Sequence, residues 1–213
     1  MVRGFFISFE GSEGVGKSTH AALLCSALQR KGFPVISLRE PGGTAFGEEI
    51  RLLLKRTDFE NPPCAEAELL LFLANRAQLV REKIMPQLER GAIVICDRYC
   101  DSTVAYQGAA RALPMDTIRQ INAFAIGGCV PDLTFFLDLD PLEGFRRIRN
   151  GRGETPDRLE MEPPEFFAKV RSAYLKIAGE EPERFRIVDG SLSIGQLQKM
   201  LLDLVEEHMK EKW

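Results

Sequence analysis

The stretch from Phe5 to Thr19, FFISFEGSEGVGKST, constrains the fold more than any other part of the chain. Its first residues are nearly all large and apolar, a pattern that predicts a short buried strand. The segment GSEGVGKS fits G-x-x-x-x-G-K-[ST] without a gap, and the apolar periodicity after it predicts a helix. A strand, a glycine-rich loop and a helix in this order indicate a phosphate-binding loop rather than an ordinary turn.

Each residue type in this loop has a physical role in holding a phosphate. Glycines allow the backbone to curl so that successive N–H groups face an anion, and the N-terminus of the following helix adds positive dipole. Lys17 is expected to reach the β- and γ-phosphates of a nucleotide, and the Ser18 hydroxyl to bind Mg²⁺. The predicted nucleotide-binding residues are Gly11, Ser12, Glu13, Gly14, Val15, Gly16, Lys17, Ser18 and Thr19.

The overall composition limits the class of protein and its partners. A length of 213 residues predicts one α/β domain over 1–213, and a net charge of −3 predicts neither nucleic acid nor a membrane surface as a partner. No apolar run approaches the roughly 20 residues that a spanning helix needs. Because the predicted first strand begins at Phe5, we also expect no signal peptide. The five cysteines are scattered without a C-x-x-C pair, as in proteins with reduced thiols. We therefore expect a cytoplasmic protein.

Further apolar segments predict four more strands, which alternate with helices along the chain. They are Val35–Leu38, Ala92–Cys96, Leu133–Leu137 and Phe185–Val188. Together with the strand before the loop they predict a five-stranded parallel sheet with helices on both faces. Polar segments that follow these strands should meet at the carboxyl edge of the sheet, where ligands bind in such folds.

Charged residues follow two of the predicted strands. Arg39 could hold a phosphate through two hydrogen bonds, although a solvated arginine at a turn is the simpler alternative. Asp97 stands where phosphate-loop proteins hold Mg²⁺ or its waters. Arg98 beside it could bridge two phosphates, and the polar groups from Ser102 to Gly108 would face the cleft.

A long helix is predicted from about Ala65 to Glu89. It is apolar on several faces, so it needs burial on more than one side, and we expect a second copy of the chain to cover one of them. Phe72 and Arg76 are four residues apart and share a face. They suit stacking on a planar base and hydrogen bonding to it, whereas a core phenylalanine beside a surface arginine is the alternative.

The most cationic segment, RRIRNGRGETPDR, runs from Arg146 to Arg158 and contains five arginines. An arginine-rich segment with glycines is typical of a lid, here at about 147–160, that brings positive charge onto a transferring phosphate. A solvated basic loop or a small nucleic-acid patch would be the alternative without the phosphate loop.

Two classes of phosphate-loop protein compete, a phosphotransferase and a nucleotide switch or motor. A GTP switch should carry N-K-x-D or T-K-x-D after a late strand, and the sequence has neither. It should also carry D-x-x-G after the third strand, but Cys100 stands where the glycine would be. Arginines at several strand ends and in the lid favour an enzyme with two phosphorylated ligands.

The segments FEGSEGVGKS, REPGGT, LFLANRAQ, DRYCDSTVAYQG and GRGETPDR together resemble the thymidylate kinase family in their order and spacing. The resemblance covers nearly the whole chain and implies a three-layer P-loop NTPase fold and a homodimer. It also implies ATP with Mg²⁺ as donor, dTMP as acceptor and dTDP as product. Kinases of other nucleoside monophosphates remain the alternative, because they share the loop, the Asp-Arg pair and a lid.

The resemblance also implies roles for individual residues. Glu13 matches the carboxylate that contacts the sugar 3′-hydroxyl. Arg39 and Arg98 match the pair that holds the acceptor phosphate. Phe72 matches the ring that stacks on thymine, and Arg76 the guanidinium that reads its O4.

Further positions complete the expected acceptor and metal sites. Gln107 matches the residue that hydrogen-bonds the lower edge of the base, and Tyr106 the ring that crowds the 2′ position. Ser102 is expected among the substrate-binding residues. Asp97 matches the acid linked to Mg²⁺. The predicted metal site consists of Asp97 and Ser18.

The residue at position 14 indicates which form of the family the chain resembles. Some members carry an arginine there, whereas others have glycine and supply catalytic arginines from the lid. Gly14 and the lid arginines imply the second, mostly bacterial, form. The lid arginines are Arg147, Arg149, Arg152 and Arg158. The predicted catalytic residues are Lys17, Arg98, Arg152 and Arg158.

Overall fold

The computed structural model describes residues 3–151 and 157–212. In these residues a parallel sheet has the strand order β2-β3-β1-β4-β5. Its strands are β1 (Phe5–Glu10), β2 (Val35–Arg39), β3 (Ile93–Asp97), β4 (Leu133–Asp138) and β5 (Phe185–Asp189). All five predicted strands and their parallel arrangement are confirmed.

Helices follow the strands along the chain. They are α1 (Lys17–Arg30), α2 (Ala45–Lys55), α3 (Ala65–Leu79), α4 (Met85–Glu89), α5 (Cys100–Thr103), α6 (Met115–Ile126), α7 (Pro141–Gly151), α8 (Pro164–Glu180) and α9 (Ile194–Lys212). π-helical turns at Val80–Ile84 and Val104–Ala110 continue α3 into α4 and extend α5. The helix predicted over 65–89 is therefore confirmed, with a π-helical turn inside it.

The register of the central strand determines where the polar strand ends meet. β1 is buried along its whole length, as its continuous apolar pattern predicts. Phe9 of β1 lies opposite Asp97 of β3 and Phe135 of β4. The phosphate loop after β1 and the Asp97-Arg98 pair after β3 consequently lie side by side at the carboxyl edge.

Helices cover both faces of the sheet, which confirms the three-layer arrangement. On one face, Leu24 of α1 and Leu201 of α9 belong to the same buried cluster as Ile7 of β1. On the other face, Leu79 and Ile84 pack in a cluster with strand residues. The sheet edge therefore rests on two hydrophobic cores that hold its position.

The apolar excess of the 65–89 helix is used largely inside one chain. Leu69 and Leu73 pack with α6 residues, and the π-helical turn packs against the sheet. Leu70 is 61% exposed. The predicted second copy is therefore not needed to explain most of the helix's apolar residues, and the homodimer stays a prediction.

Among the described residues, no helix combines the length and apolarity that crossing a lipid bilayer requires. Part of the predicted lid, including Arg152, lies outside the described residues. The remainder comprises the end of α7 and the segment from Asp157, which leads into α8.

Candidate functional site

A cavity of about 420 Å³ opens at the carboxyl edge of the sheet. This volume is in the range of small-molecule sites. The predicted residues that line it are Glu13, Gly14, Gly16, Lys17, Ser18, Thr19, Arg39, Phe72, Asp97, Arg98, Ser102, Tyr106 and Gln107. Gly11, Ser12, Val15, Arg76 and Arg158 do not belong to its lining.

The phosphate loop forms the floor of this cavity. Gly14 and Gly16 have left-handed backbone (φ 72° and 97°), which turns the chain sharply into α1. Lys17 Nζ donates a hydrogen bond to the Ser12 carbonyl at 2.5 Å. Burial, followed by the nearby charge of Arg98, lowers the pKa of Lys17 to about 8. An incoming phosphate would reverse this by pairing with the lysine.

The loop also touches the helix that leads to the lid. A Cβ atom on Gly14 would lie 2.1 Å from the carbonyl oxygen of Gly144 in α7, and one on Gly144 would lie 2.3 Å from the Glu13 carbonyl oxygen. An arginine at position 14 would therefore require α7 to move. This contact gives a physical reason for glycine at position 14.

Ser18 and Asp97 form an oxygen pair at the edge of the cavity. The Ser18 hydroxyl donates a hydrogen bond to the Asp97 carboxylate. Hydroxyl and carboxylate oxygens are ligands that Mg²⁺ accepts, and Mg²⁺ often keeps waters while bound to one or two protein oxygens. The pair therefore fits a magnesium ion beside the phosphate loop.

Arg98, Glu13 and Tyr106 form one cluster between the loop and the acceptor side. Arg98 Nη2 donates to Glu13 at 2.7 Å, and the Tyr106 hydroxyl lies 2.9 Å from both Glu13 oxygens. The Arg98 guanidinium also lies 4.9 Å from the centre of the Tyr106 ring. Residues that the sequence predicts separately for sugar and phosphate are thus in mutual contact.

A buried carboxylate that the sequence did not suggest supports this cluster. Glu10, at the end of β1, accepts hydrogen bonds from the Tyr99 N–H, the Ser102 hydroxyl and the Tyr174 hydroxyl at 2.7–2.8 Å. Burial, followed by the charge of Asp101, raises the pKa of Glu10. Glu10 therefore holds the turn after β3 against the loop.

Two guanidinium groups face the cavity from the β2 side. Arg39 is half exposed and pairs with Glu48 of α2 at 2.8 Å. Arg51, also on α2, lines the cavity and donates to the Pro41 carbonyl at 2.9 Å. Burial, followed by repulsion from Arg39, lowers the pKa of Arg51. Two nearby cations favour binding of an anion between them. A possible signal for Arg51 in the sequence is its place one helical turn after Glu48, the residue that pairs with Arg39.

The predicted base pocket contains Phe72 and Gln107 in its lining. Gln107 Nε2 donates to Glu68 Oε1 at 2.9 Å, and Glu68 is buried. Glu68 was not predicted, because a glutamate in the first turn of a helix usually faces solvent. The pocket thus contains the Phe72 ring and the Gln107 amide, and the amide is fixed by its hydrogen bond to Glu68.

Arg76 lies behind the cavity wall and not in it. It is 1% exposed and makes five hydrogen bonds at 2.5–3.0 Å, one for each N–H of its guanidinium. Its partners are Glu40, Tyr99, Thr103 and Asn122. The alternative of a surface arginine is wrong. The implied contact with base O4 stays a prediction, and it would require release of one of these partners.

Arg158 lies away from the phosphate loop. Its Nη2 donates to Glu68 at 2.7 Å and its Nε to the Leu54 carbonyl at 3.2 Å. Asp157 pairs with Lys55 at 2.9 Å. These contacts fasten the segment to α2 and α3, so the expected position of Arg158 at the transferring phosphate is not observed. Among the described lid arginines, Arg147 lines the cavity and donates to the Gly190 carbonyl at 2.9 Å.

Comparisons with known proteins agree with this site. The family model described as Thymidylate kinase matches residues 9–201. The chain is 44% identical over 209 residues to a thymidylate kinase of Caldanaerobacter subterraneus subsp. tengcongensis, with 98% of each chain covered. It is 49% identical over 189 residues to a thymidylate kinase of Carboxydothermus hydrogenoformans, with 89% of this chain and 90% of the relative covered.

A solved structure gives the same result for the fold. The crystal structure of thymidylate kinase from Ehrlichia chaffeensis matches with a TM-score of 0.77 and 30% identity, over 95% of this chain and 99% of that chain. The five-stranded sheet and its phosphate loop are thus those of a P-loop NTPase. With a family match over most of its length and relatives above 40% identity, the chain belongs to the thymidylate kinase family.

Proposed function

We propose that this chain transfers the γ-phosphate of ATP to dTMP in the cavity at the carboxyl edge, giving dTDP and ADP for dTTP synthesis. The observation that carries the proposal is the Glu13–Arg98–Tyr106 cluster, which joins a phosphate loop to a pocket of base size. A donor nucleotide on the loop and an acceptor nucleotide in the pocket would place their phosphates on either side of Arg98. Membership of the thymidylate kinase family supports the same two substrates.

Charge and positioning would carry out most of the catalysis. Phosphoryl transfer passes through a loose transition state, so no covalent intermediate is required. In this proposal Lys17 binds the β- and γ-phosphates, while Arg39, Arg51 and Arg98 hold the acceptor phosphate. Arg147 and the lid arginines Arg152 and Arg158 supply further positive charge. Since Arg158 is bound to Glu68 here, its action on phosphate would require the segment to move.

Magnesium belongs to this proposal through the Ser18–Asp97 pair. Ser18 would bind the ion directly, and Asp97 would bind it directly or through water. Bound there, Mg²⁺ supplies positive charge next to the phosphate oxygens of ATP. The same two side chains orient each other before a nucleotide arrives.

The homodimer and the cytoplasmic location are also part of the proposal. The exposed Leu70 on α3 supports contact with a second copy through the 65–89 helix region, although most other apolar residues of this helix are covered within the chain. A cytoplasmic location agrees with substrates drawn from the nucleotide pool.

The decisive experiment is ADP formation from ATP and Mg²⁺ with each nucleoside monophosphate in turn, with thymidine as control. We expect strong turnover on dTMP, weaker turnover on dUMP and almost none on thymidine. Preferred turnover of another nucleoside monophosphate would show that dTMP is not the acceptor, and it would leave the fold assignment unchanged. Absence of any acceptor-dependent turnover would favour a nucleotide switch or binding module.

A further inference from the structure

Glu68 is a buried carboxylate at which the base pocket and the lid segment meet. It is 1% exposed and lies in the first turn of α3. Its Oε1 accepts from Gln107 Nε2 at 2.9 Å and from Arg111 Nε at 3.2 Å. Its Oε2 accepts from Arg111 Nη2 at 3.1 Å and from Arg158 Nη2 at 2.7 Å. Both oxygens are therefore fully engaged as acceptors.

The two arginines keep Glu68 ionised in spite of its burial. Burial would raise the pKa of Glu68, but the hydrogen bonds from Arg111, Gln107 and Arg158 and the charge of Arg111 together outweigh burial, so that its pKa lies below the usual value. An ionised carboxylate has no hydrogen to donate. At neutral pH Glu68 can consequently only accept hydrogen bonds.

This property determines the orientation of the Gln107 amide. A side-chain amide has a donor end and an acceptor end, and rotation by half a turn about its last torsion exchanges them. Because Glu68 only accepts, the NH₂ group of Gln107 must face it. The Gln107 carbonyl oxygen must then face the opposite way, and Gln107 lines the cavity.

We propose that Glu68 is a positioning residue that selects the acceptor base by holding the Gln107 carbonyl oxygen towards the cavity. The proposal rests on the proposed phosphorylation of dTMP and identifies a residue that determines which acceptor base is preferred. A carbonyl oxygen attracts a ring N–H and repels a ring lone pair. The N3 atom of thymine and uracil carries a hydrogen, whereas N3 of cytosine carries a lone pair. Glu68 thereby favours dTMP and dUMP over dCMP without contacting any of them.

The test uses Glu68→Gln, which preserves volume but can both donate and accept. In this variant the Gln107 amide is no longer held in one orientation. We expect the ratio of kcat/KM for dTMP to kcat/KM for dCMP to fall by about tenfold or more, as for a misdirected buried hydrogen bond. The control is Glu162→Gln, which removes another carboxylate partner of Arg111 (at 2.6 Å) and keeps the hydrogen bond between Gln107 and Glu68. It should leave the ratio unchanged.

If the ratio of kcat/KM for dTMP to kcat/KM for dCMP in Glu68→Gln equals that of the wild type, the proposal is overturned. A merely structural role of Glu68 would lower both kcat/KM values together and leave their ratio unchanged.

A second measurement on the wild type covers the case in which the variant does not fold. The Gln107 side-chain amide protons, assigned by ¹⁵N NMR through Gln107→Ala, should exchange slowly with solvent both with and without dTMP. Fast exchange, or loss of protection when dTMP binds, would contradict the orientation. If the wild type does not phosphorylate dTMP, the proposed function itself is wrong.

Discussion

Gly14 and Gly144 meet backbone to backbone, so closely that a Cβ atom on Gly14 would lie 2.1 Å from the Gly144 carbonyl oxygen. Real Cβ atoms do not approach backbone so closely, hence neither position accepts a side chain in this arrangement. The phosphate loop is thereby in direct contact with α7, which carries Arg147. Motion of α7 and the geometry of the loop should depend on each other.

Gly144→Ala should impair the use of ATP. The new Cβ would lie 2.3 Å from the Glu13 carbonyl oxygen, so that either α7 or the loop must shift. We expect kcat/KM for ATP to fall by about tenfold or more, because small misplacements of positioning groups have large effects on rate. Steady-state kinetics measures this.

The matched control is Gly179→Ala in α8, where a Cβ would meet no atom within 4 Å. It should leave the kinetics unchanged and raise the free energy of unfolding by about 0.5–1 kcal/mol, since alanine favours a helix over glycine. Normal ATP kinetics in Gly144→Ala would show that the loop is independent of α7.

Lys17→Ala should abolish most of the turnover with the fold intact. Removal of one preorganised charge from a transition state lowers kcat by about 10²–10³-fold or more. Circular dichroism should show an unchanged fold, because the lysine's polar contact is a single hydrogen bond to its own loop. A variant with normal kcat and normal structure would remove Lys17 from the catalytic machinery.

The same lysine should make stability depend on pH in the alkaline range. Its pKa is about 8 in the folded protein, against 10.5 for an ordinary lysine, so between these two pH values the unfolded chain binds more protons. Stability therefore rises as pH increases from about 8 to 10.5, by on the order of 3 kcal/mol at most. Denaturant unfolding of wild type and Lys17→Met across this range measures it. If the difference in unfolding free energy between the two proteins does not change with pH, Lys17 is not desolvated as the structure indicates.

Loss of a charge-stabilising lid arginine should lower kcat by about 10³-fold, as for arginine fingers. We expect this for at least one of the alanine variants at Arg147, Arg152 and Arg158. Arg146→Ala serves as the control, because Arg146 is on the same helix, is largely exposed and pairs with Glu143. Near-normal kcat in all three variants would exclude the lid as the source of positive charge.

The homodimer should depend on the exposed face of α3. Leu70→Glu places a charge on a leucine that is 61% exposed, which would oppose burial between two copies. Sedimentation velocity should show a dimer for the wild type and a shift towards monomer for the variant. A wild-type protein that is monomeric at micromolar concentration would contradict the proposal.

Local patterns in the sequence were sufficient to predict the framework of the site. The apolar runs and the glycine-rich loop predict all five strands and the floor of the cavity, because both depend on residues close together in the chain. The carboxyl edge follows from the parallel arrangement, and it brings Asp97 beside the loop. Ser18 and Asp97 thus meet as the motif predicts.

Contacts between distant segments could not be read in the same way. The partners of Arg76 come from three other parts of the chain, and nothing local indicates that all its N–H groups are used. Glu68 resembles an ordinary solvent-facing glutamate until the segment after Asp157 folds over it. The orientation of a long polar side chain depends on such tertiary partners, so the sequence predicts its presence near the site better than its role.

The backbone of Arg98 is left-handed, with φ of 68°, a conformation that costs a non-glycine residue about 1–2 kcal/mol. Glycine at this position would relieve that strain but would remove the guanidinium that pairs with Glu13. Loss of that guanidinium would leave the largely buried Glu13 carboxylate without its cation, which costs more free energy than the backbone strain. In a mutational library, glycine at position 98 should therefore become less frequent both when survivors are sorted by heat and when they are sorted by growth.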